Sequence, residues 1–201
     1  MRSRAGRNKG MSKGRLEAFS DGVIAIIITI MVLEFKVPTG SNLAALRPIL
    51  PVFLSYVLSF VFIGIYWNSH HHLLQATHKV NGRVLWANMH LLFWLSLIPI
   101  ATEWLGQNHT AALPVALYGV ILLMAGIAYT ILVRFLIACH DENSVLAIAV
   151  GRDYKGKVSL AIYAVAVLLS FVDPGIAIAL YVLVAAIWFI PDRRIEKVIA
   201  E

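Results

Sequence analysis

Residues 15–36 read RLEAFSDGVIAIIITIMVLEFK, an apolar run that opens on a polar third and ends at Glu34 and Lys36. Between residues 22 and 33 the only side chain that can form a hydrogen bond is that of Thr29. At about 1.5 Å per residue, a helix of about 20 such residues crosses the roughly 30 Å hydrocarbon core of a bilayer. The stretch therefore predicts a membrane-spanning helix.

The composition of the whole chain agrees with a membrane protein. Of its 201 residues, 60% are apolar and 14% are charged, whereas soluble domains are about 45–50% apolar and about 25% charged. The net charge of +6 lies in the first 15 residues, which hold six basic side chains and no acid and leave 11 basic and 11 acidic groups in the rest. The apolar excess argues against a soluble enzyme. Because the body is neutral and only the tail is basic, we expect no nucleic-acid partner.

Apolar runs separated by polar breaks predict an all-α integral membrane protein with six transmembrane helices, at residues 16–35, 48–69, 84–104, 111–137, 158–172 and 174–190. The last two are short and joined by a turn at residues 173–175, so a buried hairpin that does not fully span is the alternative for that pair. We expect a basic N-terminal arm at 1–15, one six-helix transmembrane domain at 16–191 and a short C-terminus at 192–201.

The distribution of basic residues predicts the orientation of the chain. Fifteen of the 17 Lys and Arg residues fall in alternate loops and at the termini, and only Lys36 and Arg47 fall on the opposite side. Cytoplasmic loops carry the excess of Lys and Arg, so both termini are expected in the cytoplasm of a multi-pass protein. This alternation also favours an even number of spans.

The first helix carries an acid that needs a partner. Ionisable groups at membrane depth are costly and face a bundle interior or a water-filled path. At about 100° per residue, Ile26, Ile30 and Leu33 share one face with Thr29 beside them, and Asp21 points about 140° away from Ile26. Two interpretations stay open: a pore-lining helix that Asp21 braces from behind, and an ordinary packed helix with Asp21 near the interface.

Three consecutive histidines, His70, His71 and His72, end the second helix. Neighbours on a helix point about 100° apart and do not converge on one ion. No cysteine pair and no H-E-x-x-H spacing supports a zinc site. Interfacial hydrogen bonding or a pH-dependent charge is therefore favoured over metal binding, and no cofactor is predicted.

Polar side chains also enter the third helix. Asn88, with Trp86 and His90 beside it, lies at a depth similar to that of Ser20, Asp21, Trp67 and His71 on the cytoplasmic side. Buried amides and imidazoles need partners. We expect a polar brace between the first three helices.

Several functional signatures are missing from the sequence. It contains no Walker loop, no G-x-G-x-x-G, no nucleophile elbow and no T-V-G-Y-G filter, so nucleotide hydrolysis, serine hydrolase chemistry and a carbonyl-lined potassium filter lack support. Glu34, Glu103 and Asp173 are expected on the outer side, where they solvate loops. Glu34, one turn above Ile30, is a candidate for attracting cations to an outer mouth.

Arg15, three residues, and then Phe19, Ser20 and Asp21 form an R-x3-F-S-D sequence at the start of the first span. This sequence resembles the motif of the transmembrane-protein-175 potassium channels. Further stretches are similar to the second and third helices of that family. They are Trp67 followed by His70 and His71, Trp86 followed by Asn88, and the Leu97-Ile98-Pro99 end of the third helix. Helices four to six match only in hydropathy.

The resemblance implies a homotetramer whose first helices line a central pore without a re-entrant filter. It implies that Ile26 forms the constriction, with Thr29, Ile30 and Leu33 as further lining. It also implies a structural brace, outside the ion path, made of Arg15, Phe19, Ser20, Asp21, Trp67, His70, His71 and Asn88.

We therefore expect a potassium-permeable cation channel of the prokaryotic inner membrane, with potassium ions and membrane lipid as its partners. One alternative is a proton-coupled secondary transporter that uses Asp21 and the membrane histidines, although no inverted repeat supports it. Another is a non-transporting membrane protein or metalloenzyme that uses the cluster from His70 to His72.

Overall fold

The computed structural model describes residues 13–77, 79–139 and 153–189, and every regular element in these ranges is helical. The basic arm up to residue 12, His78 and the segment from residue 190 onward lie outside the described residues. The helices are α1 (Lys13–Leu33), a 3₁₀ helix (Leu43–Ile49), α2 (Leu50–Gln75), α3 (Gly82–Ser96), α4 (Ile98–Gln107), α5 (Ala112–Ile137), α6 (Tyr154–Leu169) and α7 (Pro174–Phe189).

The all-helical membrane fold is confirmed, but several helix bounds differ from the expected spans, first at the end of the second span. We expected that span to end at residue 69, but α2 continues to Gln75 and includes the three histidines. Hydropathy falls where the histidines begin, whereas the backbone hydrogen bonds of a helix do not depend on apolar side chains. The helix stops where the backbone N–H groups of Ala76 and Thr77 bond to His72 and Leu74.

The third span is two helices rather than one. Helix α3 ends at Ser96 and α4 begins at Ile98, with Leu97 between them. Pro99 stands at the start of α4, and a proline has no N–H with which to continue the hydrogen bonds of the preceding helix. The pair still covers Gly82–Gln107, long and apolar enough to cross a membrane.

Four helical segments of the described chain pass the length and hydropathy required of a membrane span: α1, α2 with the 3₁₀ helix, α3 with α4, and α5. Helices α6 and α7 have 16 residues each. They pack against each other after a turn in which Asp173 accepts hydrogen bonds from the backbone N–H groups of Gly175 and Ile176.

The core of the protein forms around α5, which packs against α3, α4, α6 and α7. Helix α1 lies at the edge and packs only one side, against α2, α3 and α4. Its buried side carries Ser20, Ile24, Ile27 and Met31. The opposite side of α1 has no covering helix among the described residues.

Candidate pore face and polar brace

The uncovered side of α1 carries the residues that the sequence places on a pore. The Ile26 side chain is 57% exposed and that of Leu33 is 81% exposed. Thr29 and Ile30 are exposed on the same side, whereas Ile27 is only 3% exposed. We call Ile26, Thr29, Ile30 and Leu33 the open face of α1.

Thr29 is the one polar residue of the open face. Its hydroxyl donates a hydrogen bond to the carbonyl oxygen of Ile26 at 2.9 Å. A threonine that bonds back to its own helix needs no other partner for its proton. The hydroxyl oxygen keeps its lone pairs, so Thr29 offers an acceptor on an otherwise apolar surface.

Behind the open face, three buried side chains join α1, α2 and α3. The Asn88 amide donates to the Ser20 hydroxyl at 2.9 Å, and its carbonyl oxygen lies 2.7 Å from Nε2 of His70. Ser20 in turn donates to the carbonyl oxygen of Leu16 at 2.9 Å. Because an unpaired polar group in an apolar interior is costly, these bonds fix how the three helices are rotated against one another.

Asp21 has a partner on the next helix. Nε1 of Trp67 donates to Oδ1 of Asp21 at 3.0 Å. His71 stacks on the Trp67 indole with ring centroids 5.7 Å apart, and its Nδ1 lies 3.4 Å from a carboxylate oxygen of Glu17. The carboxylate at membrane depth is therefore hydrogen-bonded within the subunit, on the side of α1 away from Ile26.

Two members of the expected brace lie elsewhere in the single subunit. Arg15 and Phe19 are exposed on α1, at helical positions within about 20° of Ile26. Within the described residues, the hydrogen bonds and ion pairs that join Ser20, Asp21 and His70 to their partners include neither Arg15 nor Phe19. Their role in the brace stays a prediction.

The histidine cluster shows no metal site within the described ranges. No group of three His, Cys, Asp or Glu side chains there is arranged to hold a metal ion. His70 bonds to Asn88 and His71 to Gln75, with 2.8 Å between the His71 and Gln75 nitrogens. The expectation that the protein needs no cofactor remains untested.

Sequence reasoning missed the pairing of Glu34 with Glu103. These carboxyls lie together toward the ends of α1 and α4, where hydrogen bonding and repulsion between them raise the pKa of Glu34 above its usual range. Both line a groove of about 420 Å³ that reaches Ile26 and Ile30. The sequence marks both acids as outer-side residues, but not which helices meet there.

Comparisons with known proteins agree with this arrangement. A family model described as the endosomal/lysosomal potassium channel TMEM175 matches residues 15–99, the part of the chain that contains the open face, Asp21 and Asn88. A potassium channel of Chryseobacterium sp. (strain P1-3) is 61% identical over 191 residues, covering 95% of this chain and 100% of the relative. The chain belongs to the TMEM175 potassium channel family.

Other TMEM175 relatives extend the match to the whole fold. A potassium channel of Chamaesiphon minutus is 31% identical over 192 residues, covering 88% of this chain and 92% of the relative. The crystal structure of a lysosomal potassium-selective channel TMEM175 homolog from Chamaesiphon minutus superposes with a TM-score of 0.75 at 26% identity, covering 88% of this chain and 95% of that one. TMEM175 proteins are ion channels, so the family favours neither the transporter nor the metalloprotein alternative.

Proposed function

We propose that the chain is the subunit of a homotetrameric, potassium-permeable cation channel whose pore is lined by four copies of α1, with no re-entrant filter. The relatives named potassium channels support the permeant ion. The observation that carries the pore assignment is the open face of α1, an apolar surface with one hydroxyl that the subunit leaves uncovered.

A helix that faces lipid would also be exposed in a single subunit. Other residues of α1 help to distinguish a pore face from a lipid-facing surface. Its exposed side carries Arg15 as well as Thr29, which is more polar than a lipid contact requires. The buried polar groups of Ser20, Asn88 and His70 set the rotation of α1. Buried hydrogen bonds that fix the rotation of α1 are what we expect of a helix that packs against copies of itself around a pore.

Ile26 would form the constriction of this channel. A fourfold axis turns one exposed isoleucine into a ring of four branched side chains, and a narrow apolar ring wets poorly. Each ion must then shed water to pass, so selectivity rests on dehydration and pore width rather than on a carbonyl cage. Potassium loses its hydration shell more easily than sodium, so the discrimination would be moderate.

The proposed location is the prokaryotic inner membrane, with membrane lipid around the tetramer and both termini in the cytoplasm. The excess of Lys and Arg in alternate loops supports this orientation. The Glu34 and Glu103 carboxyls then lie at the outer end, where negative charge raises the local concentration of cations.

Cysteine substitution tests the pore assignment. Cys139 is the only cysteine of the chain, so replacing it with alanine gives a cysteine-free background. Ile30→Cys places a thiol on the open face, and Val32→Cys places one about 160° around the helix at a position that is also exposed. Purified protein in planar bilayers should conduct potassium, and a small cationic thiol reagent should block the Ile30→Cys current but spare the Val32→Cys current.

Two results would count against the proposal. Block at Val32→Cys with none at Ile30→Cys would put the pore on another face of α1. A purified protein that carries saturating, proton-coupled flux without channel-sized events would instead be a transporter.

A further inference from the structure

A groove of about 700 Å³ opens on the surface of the protein between the start of α3 and the end of α5. Arg83, Trp86 and His90 line it from α3, and Ile131 and Phe135 line it from α5. Residues three and four positions apart share one face of a helix, so each helix gives the groove one stripe of side chains. No residue of the open face of α1 lines this groove, and the proposed pore makes no use of it.

One end of the groove carries positive charge. Arg83 stands in the first turn of α3, is exposed, and forms no ion pair with a carboxylate in the part of the chain that the structure describes. No acidic side chain is present in the described wall. Arg134 is exposed on α5, one position before Phe135. A guanidinium without a carboxylate partner favours an anionic ligand, above all a phosphate, with which it forms two parallel hydrogen bonds.

The rest of the wall is aromatic and apolar, and it lies deeper in the membrane. The span formed by α3 and α4 begins at Gly82, so Arg83 lies at the membrane surface and Trp86 about 4.5 Å further in, at about 1.5 Å per residue. The Trp86 side chain is 78% exposed, and tryptophan is enriched where hydrocarbon meets the headgroups. A cation at the surface followed by an apolar slot has the same polarity order as a phospholipid.

His90 adds a hydrogen-bond donor to the deeper part of the groove. Nε1 of the Trp94 indole, which can only donate, lies 2.9 Å from Nε2 of His90. The neutral imidazole of His90 therefore carries its proton on Nδ1. An N–H at this depth can donate to an ester carbonyl oxygen, the polar group of a phospholipid that lies between its phosphate and its acyl chains.

We propose that this groove binds an anionic phospholipid, with its phosphate on Arg83 and one acyl chain between Trp86 and Phe135. Basic pockets between membrane helices bind anionic headgroups, and the volume lies within the range of about 300–1,000 Å³ found for ligand clefts. A zwitterionic lipid has the same phosphate, but the described wall offers no acid to its ammonium group. The site therefore prefers phosphatidylglycerol to phosphatidylcholine. It requires a membrane but not potassium conduction.

Native mass spectrometry of the purified full-length protein, titrated with a defined lipid in detergent, tests the site by counting the lipids bound to each copy. We expect saturable binding of phosphatidylglycerol that is tighter than that of phosphatidylcholine. Arg83→Gln should weaken the binding of phosphatidylglycerol by about ten-fold or more, because hydrogen bonds between charged groups are lost. Trp86→Ala should also weaken it, because the acyl chain loses its aromatic contact. Both residues are exposed, so the fold should tolerate either substitution.

Two variants outside the groove serve as matched controls. Arg47→Gln removes an exposed arginine from the 3₁₀ helix, and Phe93→Ala removes an exposed ring from α3. Both should bind phosphatidylglycerol like the wild type. Equal loss in Arg83→Gln and Arg47→Gln would indicate attraction to net charge alone and would overturn the proposal, as would equal binding of the two lipids.

Two other occupants of the groove would also overturn the proposal. Displacement of the lipid by inorganic phosphate would make this a site for a free anion. A second copy of the chain would give a different result, in which Arg83→Gln and Trp86→Ala lower the oligomeric mass in the same spectra and leave the lipid count unchanged. Bilayer currents are measured separately, so failure of the lipid site and failure of the channel function can be told apart.

Discussion

Ile26 and Ile27 are consecutive residues of α1, yet the first side chain is 57% exposed and the second 3%. Consecutive helical positions differ by about 100°, so one isoleucine joins the open face and the other packs into the subunit. The same residue type therefore has two different roles in adjacent positions, and substitutions can separate them.

Replacing Ile26 with Asn should widen and hydrate the proposed constriction. We expect a larger current and more similar permeabilities for potassium and sodium, measured as a smaller reversal potential under a potassium and sodium gradient. Ile27→Val is the comparison, because it removes one buried methylene at a cost of about 0.5–1.5 kcal/mol. It should lower stability and keep the reversal potential. A selectivity change at Ile27 alone would place the pore on the other side of α1.

Asn88→Ala should destabilise the junction of the first three helices. The substitution leaves Nε2 of His70 without its partner and removes the donor to Ser20, and each buried group left unpaired costs about 1–3 kcal/mol. Unfolding of the purified protein in denaturing detergent would measure the loss. Asn108→Ala is the control, since Asn108 is exposed and its side-chain amide donates to the carbonyl oxygen of Trp104 within the same helix end. Equal stability of both variants would show that the hydrogen bonds of Asn88 do not stabilise the junction.

Substitutions of Asp21 can distinguish a role in the structural brace from a role in a proton relay. Asp21→Asn removes the charge but keeps an oxygen that accepts from the Trp67 indole, whereas Asp21→Ala removes both. For a brace we expect Asp21→Asn to assemble and conduct, and Asp21→Ala to lose the tetramer, as seen by size-exclusion chromatography. A proton relay requires an ionisable group, so loss of transport in a well-assembled Asp21→Asn protein would favour the transporter.

Acidification should reduce the attraction of cations to the outer end of the channel. Because the pKa of Glu34 is raised by Glu103, Glu34 takes up a proton at a higher pH than an isolated carboxyl. Potassium conductance at low ionic strength should therefore fall as the pH drops through this pKa. Glu103→Gln removes the repulsion, so the midpoint should move to lower pH. An unchanged midpoint would show that the pair does not control the current.

The same pair has a consequence for stability, and its sign follows from the direction of the shift. A carboxyl whose pKa is raised on folding contributes stability that is present below its unfolded pKa and is lost as the pH rises through the folded pKa. Thermal unfolding should thus become slightly easier as the pH rises above this range. The dependence should be weaker in Glu103→Gln.

Cys139 reports the orientation of the chain. It follows α5, is half-buried, and accepts a hydrogen bond from the Asn81 amide at 2.9 Å. With cytoplasmic termini, this end of α5 faces the cytoplasm. In intact cells, Cys139 should therefore resist a membrane-impermeant thiol reagent, while in inside-out vesicles the labelling should be equal or greater. Labelling of Cys139 from outside intact cells would mean that this end of α5 faces outward, contrary to the predicted topology.

Much of the fold can be predicted from the sequence, because apolar runs of span length are rare outside membranes. The expected spans 111–137 and 174–190 agree with α5 and α7 to within one residue. Hydropathy alone did not predict the break at Leu97, because it continues across Pro99; only the family resemblance gave Leu97-Ile98-Pro99 as the end of the third helix. The last six residues of α2 were missed because they are largely polar, and hydropathy does not mark a polar stretch as helical.

The candidate site was only partly predictable. The positions of Ile26 and Asp21 on opposite sides of α1 follow from helix geometry alone, and the depth of Asn88 predicts a polar contact. Which partner Asn88 takes depends on how α1, α2 and α3 are packed, and one sequence does not specify it. For the same reason the Glu34 and Glu103 pair was not foreseen. The pore roles of the open face remain predictions.

Helix α6 has 16 residues between its Asp153 cap and its Ser170 cap. At about 1.5 Å per residue it is about 24 Å long, several ångströms shorter than the roughly 30 Å hydrocarbon core. If α6 spans the bilayer, the lipids beside it must be compressed, at a cost of a fraction of a kcal/mol for each ångström of mismatch. Thin bilayers reduce this cost and thick bilayers increase it. The acyl-chain length of the lipid therefore changes the free energy of inserting the hairpin of α6 and α7.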